Sequence, residues 1–151
     1  KRVVIIMKIV IQNVKEAKVF INNKTHSSIK NGMLIFLGVR SDDTLANIKY
    51  LINKLIKLRI FKDNGKKMNL SIQDLGLSIM LVSQFTLYAN TEKGNRPSFI
   101  DAASRNKAKE LYDLFIKELH KYNINLQTGK FGANMEVHLI NDGPNTFILE
   151  S

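Results

Sequence analysis

The chain of 151 residues is 44% hydrophobic and 24% charged, a composition typical of one globular domain with its own core. It has no cysteine, which excludes disulfides, thiolate metal sites and a cysteine nucleophile, and no apolar run approaches the roughly 20 residues that cross a bilayer. The net charge of +10 indicates either an anionic partner such as RNA or drift toward A/T-rich codons, because 18 lysines stand against 5 arginines beside 16 asparagines.

The N-terminal third of the chain predicts β-strands. Apolar residues alternate over 8–14 and again over 17–21, which predicts two strands, and Asn22-Asn23-Lys24 supplies the residues of a hairpin turn. The run MLIFLGV at 33–39 is typical of a strand buried on both faces. Because Met7 stands where a native start would, residues 1–6 are interpreted as an upstream extension or a cloning remnant.

Two amphipathic helices are predicted further along the chain. The first begins near Asp42 and Asp43, and its apolar residues recur at three- and four-residue spacing: Leu45, Ile48, Ile52, Leu55 and Ile56. The second follows a candidate N-cap, Ser104, and its apolar face comprises Ala108, Leu111, Tyr112, Phe115, Leu119 and Tyr122. Between the helices, the pattern predicts a turn at 62–67, a β-prone stretch from Ser78 through Leu87 and a polar loop at 90–99.

The C-terminal segment LINDGPNTFILE contains two strand-like runs, around 135–140 and 146–150, joined by Asn141-Asp142-Gly143-Pro144-Asn145. The Asp-Gly pair predicts a hairpin turn, although a proline cannot donate to a strand ladder. The order of elements predicts an α/β protein: a single mixed domain over 7–151.

No familiar catalytic or metal constellation is present in the sequence. His26, His120 and His138 lack metal-ligand spacing, and GKFGANM at 129–135 lacks the lysine and hydroxyl that end a phosphate-binding loop. What remains is SQFTLYANTEKGNRPSF at 83–99, whose hydroxyls either act as nucleophiles or cap the backbone at a strand end. In the same segment, Lys93 and Arg96 either grip phosphate or lie in a solvated loop.

Two motifs in this chain, SQFTL at 83–87 and NDGPNT at 141–146, resemble those of the D-aminoacyl-tRNA deacylase family. The resemblance extends to MKIVIQNV at 7–14, GMLIFLGV at 32–39 and LRIFKDNGKKMNLSIQDLG at 58–76, so it covers nearly all of residues 7–150 in order. It implies a three-layer fold in which helices pack on two β-layers.

The resemblance also implies an activity. Members hydrolyse the ester between a D-amino acid, or glycine mischarged on tRNA(Ala), and the 3′ end of tRNA, as a proofreading step of translation. They are cytoplasmic homodimers whose active sites lie at the subunit interface, and they need no metal or organic cofactor. For this chain, the resemblance therefore implies D-aminoacyl-tRNA as the partner, with neither membrane nor DNA involved.

Site residues carry over from the family motifs. Ser83, Gln84, Phe85 and Thr86 are expected at the scissile ester, where backbone N–H groups near Phe85 and Thr86 hold the oxyanion and the ribose 2′-OH assists the water. A Thr86 nucleophile is the less favoured alternative, because no base accompanies it.

The remaining site residues concern chirality and the pocket. Gly143 and Pro144 match the family's Gly-cisPro motif, a rigid backbone gate inserted into the other subunit's site. Phe131 and Met135 match pocket positions, with core packing as the alternative.

Two departures from the family pattern bear on stereospecificity. Asn145 stands where the family usually has Val, and Asn13 where many members have Arg. Two alternatives to a stereospecific deacylase follow. One is a catalytically silent module that binds the tRNA end, and the other, expected if the Gly143–Pro144 bond is trans, is an enzyme with achiral or L-substrate specificity.

Overall fold

The computed structural model describes residues 6–151; residues 1–5, and so most of the predicted extension 1–6, lie outside the described residues. The strands in this range are β1 (Lys8–Ile21), β2 (Lys24–Ile29), β3 (Gly32–Gly38), β4 (Phe61–Lys62), β5 (Met68–Leu70), β6 (Ser78–Ser83), β7 (Asn125–Thr128) and β8 (Glu136–Glu150). The helices are α1 (Leu45–Lys57), α2 (Ile72–Leu75) and α3 (Arg105–Leu119), and a 3₁₀ turn spans Phe85–Tyr88. The predicted mixed α/β class is confirmed. None of these helices is long and apolar enough to cross a membrane.

Strand β1 organises the sheet. It pairs antiparallel with β2 and β3 along one side and with β8 along the other. The prediction of two separate strands over 8–14 and 17–21 is wrong: Val14 pairs with Asn141 and Glu16 with Ile140, so Lys15 is the extra residue of a bulge inside one strand. The predicted hairpin at Asn22 and Asn23 is confirmed, because both residues have positive φ, 51° and 63°.

Parallel strands extend the sheet on the far side of β3. The order is β2-β1-β3-β6-β7, with β3–β6 and β6–β7 both parallel. Parallel neighbours need long crossovers, and these contain α1 and α3. Strands β2 and β7 carry mainly polar residues and were not predicted.

Two hydrophobic clusters lie on the two sides of the sheet. Both α1 and α3 pack on one side, where Phe115 is fully buried among residues from β1, β3 and β6. The second cluster contains strand residues alone, including Val19, Leu34 and Met80, with Val137 and Leu139 of β8 packed against it. This arrangement of helices over two β-layers agrees with the three-layer fold that the resemblance implied.

The helix starts follow local capping chemistry. Helix α1 begins after Thr44, which forms a capping box with Asn47, so Asp42 and Asp43 lie near its start as predicted. Asp43 is 1% exposed and accepts a hydrogen bond from the Arg40 backbone N–H at 2.6 Å, and burial raises the pKa of its carboxyl. Ser104 caps α3 as predicted, because its hydroxyl accepts from the Lys107 N–H at 3.3 Å.

The C-terminal hairpin prediction is wrong. Strand β8 runs in one direction along β1, from Phe20↔Glu136 to Lys8↔Glu150. Between Gln12↔Thr146 and Val14↔Asn141, β1 contributes one residue and β8 contributes four, residues 142–145. The Gly-Pro segment is therefore a loop that leaves the middle of a strand and returns to it.

Gly32 provides a test of the β3–β6 contact. A Cβ at this position would overlap the Ser78 carbonyl oxygen and lie 2.7 Å from its carbonyl carbon. We expect Gly32→Ala to lower the free energy of unfolding by about 1–3 kcal/mol, the usual cost of overpacking. Gly65→Ala is the control, since its Cβ would meet only the Asp63 carboxylate at 3.3 Å. Urea unfolding at matched protein concentration measures both, and equal midpoints for the two variants would contradict this packing.

Candidate active site

A cavity of about 560 Å³ lies at the end of β6. Ser83, Gln84 and Phe85 line one side of it, and Phe131 and Met135 line another. These two groups come from segments of the sequence nearly 50 residues apart, which the parallel pairing of β6 with β7 brings together. Five of the residues predicted from the family resemblance therefore share one cavity.

The chain leaves the strand at Gln84. The Gln84 N–H donates to the Leu37 carbonyl at 2.8 Å, and the 3₁₀ turn begins at the next residue, so the expectation of β-structure through Leu87 is wrong. The turn holds Phe85 with 54% of its surface exposed, in an edge-to-face contact with Phe99 at 4.9 Å between ring centroids. Phe99 also lines the cavity and was missed by the sequence analysis.

The two hydroxyls of the motif differ in position. Ser83 lines the cavity, whereas Thr86 does not, and the Thr86 hydroxyl accepts a hydrogen bond from the Gln84 side-chain amide. Within residues 6–151, neither hydroxyl is hydrogen-bonded to a histidine or a carboxylate. The described structure thus shows no activated serine or threonine nucleophile at this cavity.

Arg105 supplies the single charged side chain among the residues that line the cavity. Its guanidinium lies 5.8 Å from the centroid of the Phe131 ring, in a cation–π contact. Gly132, at φ 76°, leaves space for the Arg105 guanidinium, since a Cβ on Gly132 would lie 2.5 Å from Nη2 of Arg105. In the described part of the chain no carboxylate lies within ion-pair distance of Arg105, so the guanidinium is available to an anion.

Phe131 and Met135 serve both as pocket residues and as packing residues. Phe131 packs against the helix-side cluster and lies 5.7 Å from the Tyr112 ring, while Met135 packs against the strand-side cluster. Gly129 makes room for Met135, because a Cβ there would lie 2.8 Å from its sulfur. Lining the pocket and packing in the core, the two interpretations that the sequence left open for Phe131 and Met135, are therefore compatible.

The Gly143–Pro144 segment lies away from this cavity. Its peptide bond is cis and both residues are exposed. One side chain closes the base of the loop: the Asn141 amide nitrogen donates to the carbonyl of Asn13 at 3.2 Å and to that of Asn145 at 3.0 Å. Asn141 was not singled out from the sequence beyond its place in the motif.

Asn13 lies beneath the same loop. It is 4% exposed, and its amide nitrogen donates to the Ile60 carbonyl at 3.0 Å. The Asn141 side chain thus fixes the loop to β1, and the Asn13 side chain fixes β1 to the segment that follows α1.

The remaining predicted residues lie on the surface. Lys93 and Arg96 are exposed in the loop that the Asn90↔Ser98 bridge closes, and neither lines the cavity. In residues 6–151, no cluster of three metal-ligating side chains is found. His138 pairs with Glu136 at 3.0 Å on the exposed side of β8.

The fold is shared with solved structures. One, described as a c-Myc DNA unwinding element binding protein, has a TM-score of 0.90 and 38% identity, over 95% of this chain and 98% of that chain. Another, titled as a probable eukaryotic D-amino acid tRNA deacylase, has a TM-score of 0.81 over 97% of this chain and all of the other. At 17% identity, the second shows the fold alone.

Sequence relatives define the family. The model of the D-Tyr-tRNA(Tyr) deacylase family matches residues 10–150. A protein named D-aminoacyl-tRNA deacylase from Finegoldia magna is 56% identical over 96% of this chain and 98% of its own length. One of the same name from Fusobacterium nucleatum is 50% identical over 96% of each chain. The chain belongs to the D-Tyr-tRNA(Tyr) deacylase family.

Tyr112 offers a test of how the cavity wall is held. Its hydroxyl donates to the carbonyls of Leu81 at 3.3 Å and Gly129 at 3.5 Å, and so ties the segment that carries Phe131 to β6. We expect Tyr112→Phe to lower the free energy of unfolding by about 1 kcal/mol, the usual net contribution of one buried hydrogen bond, since the Leu81 carbonyl keeps its bond from the Gly129 N–H at 2.9 Å. Tyr50→Phe, at a side chain 53% exposed, should have no effect.

The same tyrosine predicts a pH dependence. Burial raises the pKa of Tyr112 to about 12, so its phenol ionises more easily in the unfolded chain, at about 10. Its stabilising contribution should be complete below pH 10 and lost as the pH rises toward 12. Urea midpoints measured across this range should converge for wild type and Tyr112→Phe, and a gap that widens with pH would contradict the assignment.

Proposed function

We propose that this chain is a hydrolase that cleaves the ester between a D-amino acid and the 3′-terminal ribose of tRNA. Membership of the deacylase family gives the enzyme class. The observation that supports this site for the activity is the cavity lined by Ser83–Phe85 together with Phe131 and Met135. As a proofreading step of translation, this activity belongs in the cytoplasm.

The chemistry fits a site without a protein nucleophile. An aminoacyl ester is a reactive carbonyl, so water, an oxyanion stabiliser and correct positioning suffice, and the vicinal 2′-OH of the ribose can assist. The 3₁₀ turn removes Phe85 and Thr86 from the strand ladder, so their backbone N–H groups are available to the developing oxyanion. No cofactor or metal is required in this mechanism.

The substrate's terminal adenosine suits the aromatic edge of the cavity. Phe85 is half exposed and held by Phe99, so one ring face is free to stack on a base. Arg105, on the wall near Phe131, would pair with the phosphate of that nucleotide. The amino acid side chain would then extend along the wall that Met135 lines.

The edge strand β8 supports a homodimer. Among the described strands β8 pairs with β1 alone, so its outer backbone groups have no strand partner. Ile140 and Ile148 leave 49% and 62% of their surfaces exposed on this edge. A second copy covering the edge would bury them and would receive the loop of residues 142–145.

Chirality would be read by that loop in the partner's cavity. A backbone wall of Gly143 and Pro144 at the substrate Cα rejects an L side chain without reading which side chain it is. Gly143 has φ 140°, and a Cβ there would lie 2.7 Å from the Asn145 backbone nitrogen, so only glycine fits. Glycyl-tRNA(Ala), with no side chain to reject, would also be accepted.

In this chain the loop is held by amides. Asn141 joins both ends of the loop, and Asn13 anchors the adjacent strand from beneath. The three residues form one unit in which Asn141 bonds the backbone carbonyls of Asn13 and Asn145, while the Asn13 side chain adds its own bond to Ile60. We propose that this unit keeps the gate in place.

Parallel hydrolysis of D-Tyr-, L-Tyr- and Gly-tRNA(Ala) tests the function. We expect release from the D-Tyr and Gly substrates and none above background from L-Tyr. Absence of release from all three would favour a tRNA-binding module without catalysis. Equal release from D- and L-Tyr would favour an enzyme without stereospecificity.

Thr86 tests the mechanism. Because its hydroxyl pairs with Gln84 and does not line the cavity, we expect Thr86→Ala to keep activity within about tenfold of wild type, whereas removal of a true nucleophile costs on the order of 10⁴ or more. Thr91→Ala, in the exposed loop, is the matched control. Single-turnover hydrolysis of D-Tyr-tRNA measures the effect, and loss of turnover in a folded Thr86→Ala protein would overturn the substrate-assisted mechanism.

Asn141 tests the gate. Asn141→Asp replaces the Nδ2 donor with an oxygen that faces two carbonyls, which should loosen the loop. We expect the ratio of kcat/KM for D-Tyr-tRNA over L-Tyr-tRNA to fall at least tenfold while hydrolysis of the D substrate persists. Asn125→Asp makes the same chemical change at an exposed pair with Ser78 and should leave the ratio unaltered. An unchanged ratio in both variants would show that Asn141 does not position the gate.

A further inference from the structure

A second cavity lies beside the candidate active site. Its volume is about 640 Å³, and it lies between the start of β2, the middle of α3 and residues 129–131. Phe131 lines both cavities, so one aromatic side chain forms the boundary between them. Neither the mechanism above nor any family motif uses this second cavity.

The rim of this cavity is basic. Lys24, Lys109 and Lys130 line it, with His26, and Asp113 is the one carboxylate among its lining residues. Asp113 pairs with Lys109 at 2.7 Å, one helical turn away on α3. In residues 6–151 no carboxylate lies within ion-pair distance of Lys24 or Lys130, so both ammonium groups are free for an external anion.

The floor of the cavity is neutral and fixed. The Tyr112 hydroxyl is bonded to the carbonyls of Leu81 and Gly129, and Thr128 accepts a hydrogen bond from Ser27 at 2.8 Å through its own carbonyl. A neutral floor with the free ammonium groups of Lys24 and Lys130 on the rim suits an extended polyanion that lies across the opening.

Helix α3 connects the two cavities. Arg105 faces the first cavity and Lys109 the second, and four helical residues advance about 6 Å along the axis. Cationic groups therefore continue from the candidate active site along the helix toward Lys24 and Lys130. An RNA strand whose 3′ nucleotide enters the first cavity would carry its preceding phosphates along this line.

We propose that this basic cleft, formed by Lys24, Lys109 and Lys130 around Tyr112, binds backbone phosphates of the tRNA acceptor stem. The inference rests on the proposed function, since the 3′ end must occupy the neighbouring cavity. It assigns the tRNA contacts to the cleft rather than to the loop residues Lys93 and Arg96. Contacts to phosphate position the substrate and carry no sequence preference, as an enzyme acting on many tRNAs requires.

The test compares neutral substitutions in three places. The cleft variant is Lys24→Gln with Lys130→Gln, the loop variant is Lys93→Gln with Arg96→Gln, and the control is Lys54→Gln, an exposed lysine of α1 that lines neither cavity. Affinity for uncharged tRNA is measured between 50 and 200 mM KCl, with duplex DNA of matched length as a competitor.

We expect the cleft variant to bind tRNA about tenfold more weakly at 0.1 M salt and to lower the salt slope by about two, one for each lost phosphate contact. The loop variant and Lys54→Gln should match wild type. A loss confined to the loop variant, no loss in the cleft variant, or equal competition by duplex DNA would each overturn the proposal.

A phosphate-free substrate separates this proposal from the proposed function. The cleft variant should hydrolyse D-tyrosyl-adenosine at the wild-type rate while kcat/KM for D-Tyr-tRNA falls about tenfold. An equal fall on both substrates would show that the cleft shapes the active site and would overturn phosphate binding. If wild type hydrolysed neither substrate, the proposed function would fail, and tRNA affinity would still decide whether the cleft binds RNA.

Discussion

The antiparallel pairing of β1 with β8 is the constraint on which the rest of the structure depends. It joins Lys8 to Glu150 and Phe20 to Glu136, so the two ends of the domain form one long ribbon. On its other side β1 sets the register of β2 and β3, and β3 in turn sets the register of β6, which leads into the candidate active site. A four-residue loop opposite one residue of β1 must leave the sheet, and this is why Gly143 and Pro144 project from an edge instead of packing in a core.

The segment from Gly129 to Met135 shows how two cavities are built side by side. Both of its glycines are explained by close approach: Gly129 leaves space for the Met135 sulfur, and Gly132 leaves space for the Arg105 guanidinium. Between them Phe131 separates the two cavities and packs against Tyr112. The glycine pattern that superficially resembles a phosphate loop therefore makes room for side chains that line the candidate active-site cavity.

Sequence patterns predicted the elements whose signals are local. Hydrophobic periodicity predicted the buried strand β3 and both long helices. Local chemistry predicted the N-cap at Ser104 and the turn at Asn22-Asn23. Strand β7 was not predicted, because it depends on a parallel neighbour. The continuity of β1 and of β8 was not predicted either, because these two strands pair with each other across more than 100 residues. The β-prone side chains of Phe85 to Leu87 predicted β-structure, whereas the structure has a 3₁₀ turn there. For the site, the family resemblance located Ser83 and Phe131, but the contacts of Arg105 with Phe131 and of Asn141 with Asn13 join distant parts of the chain and leave no spacing signal.

The central claim is that each active site combines the cavity of one copy with the loop of another. Subunit mixing tests it directly, using Asn141→Asp to impair the loop and Ala133→Trp to fill the cavity, each on a differently tagged chain so that the mixed dimer can be purified. Composite sites predict that D-selective hydrolysis returns in the mixed dimer, because its intact cavity meets an intact loop. A mixed dimer that discriminates between D- and L-Tyr-tRNA no better than the Asn141→Asp homodimer would contradict the claim.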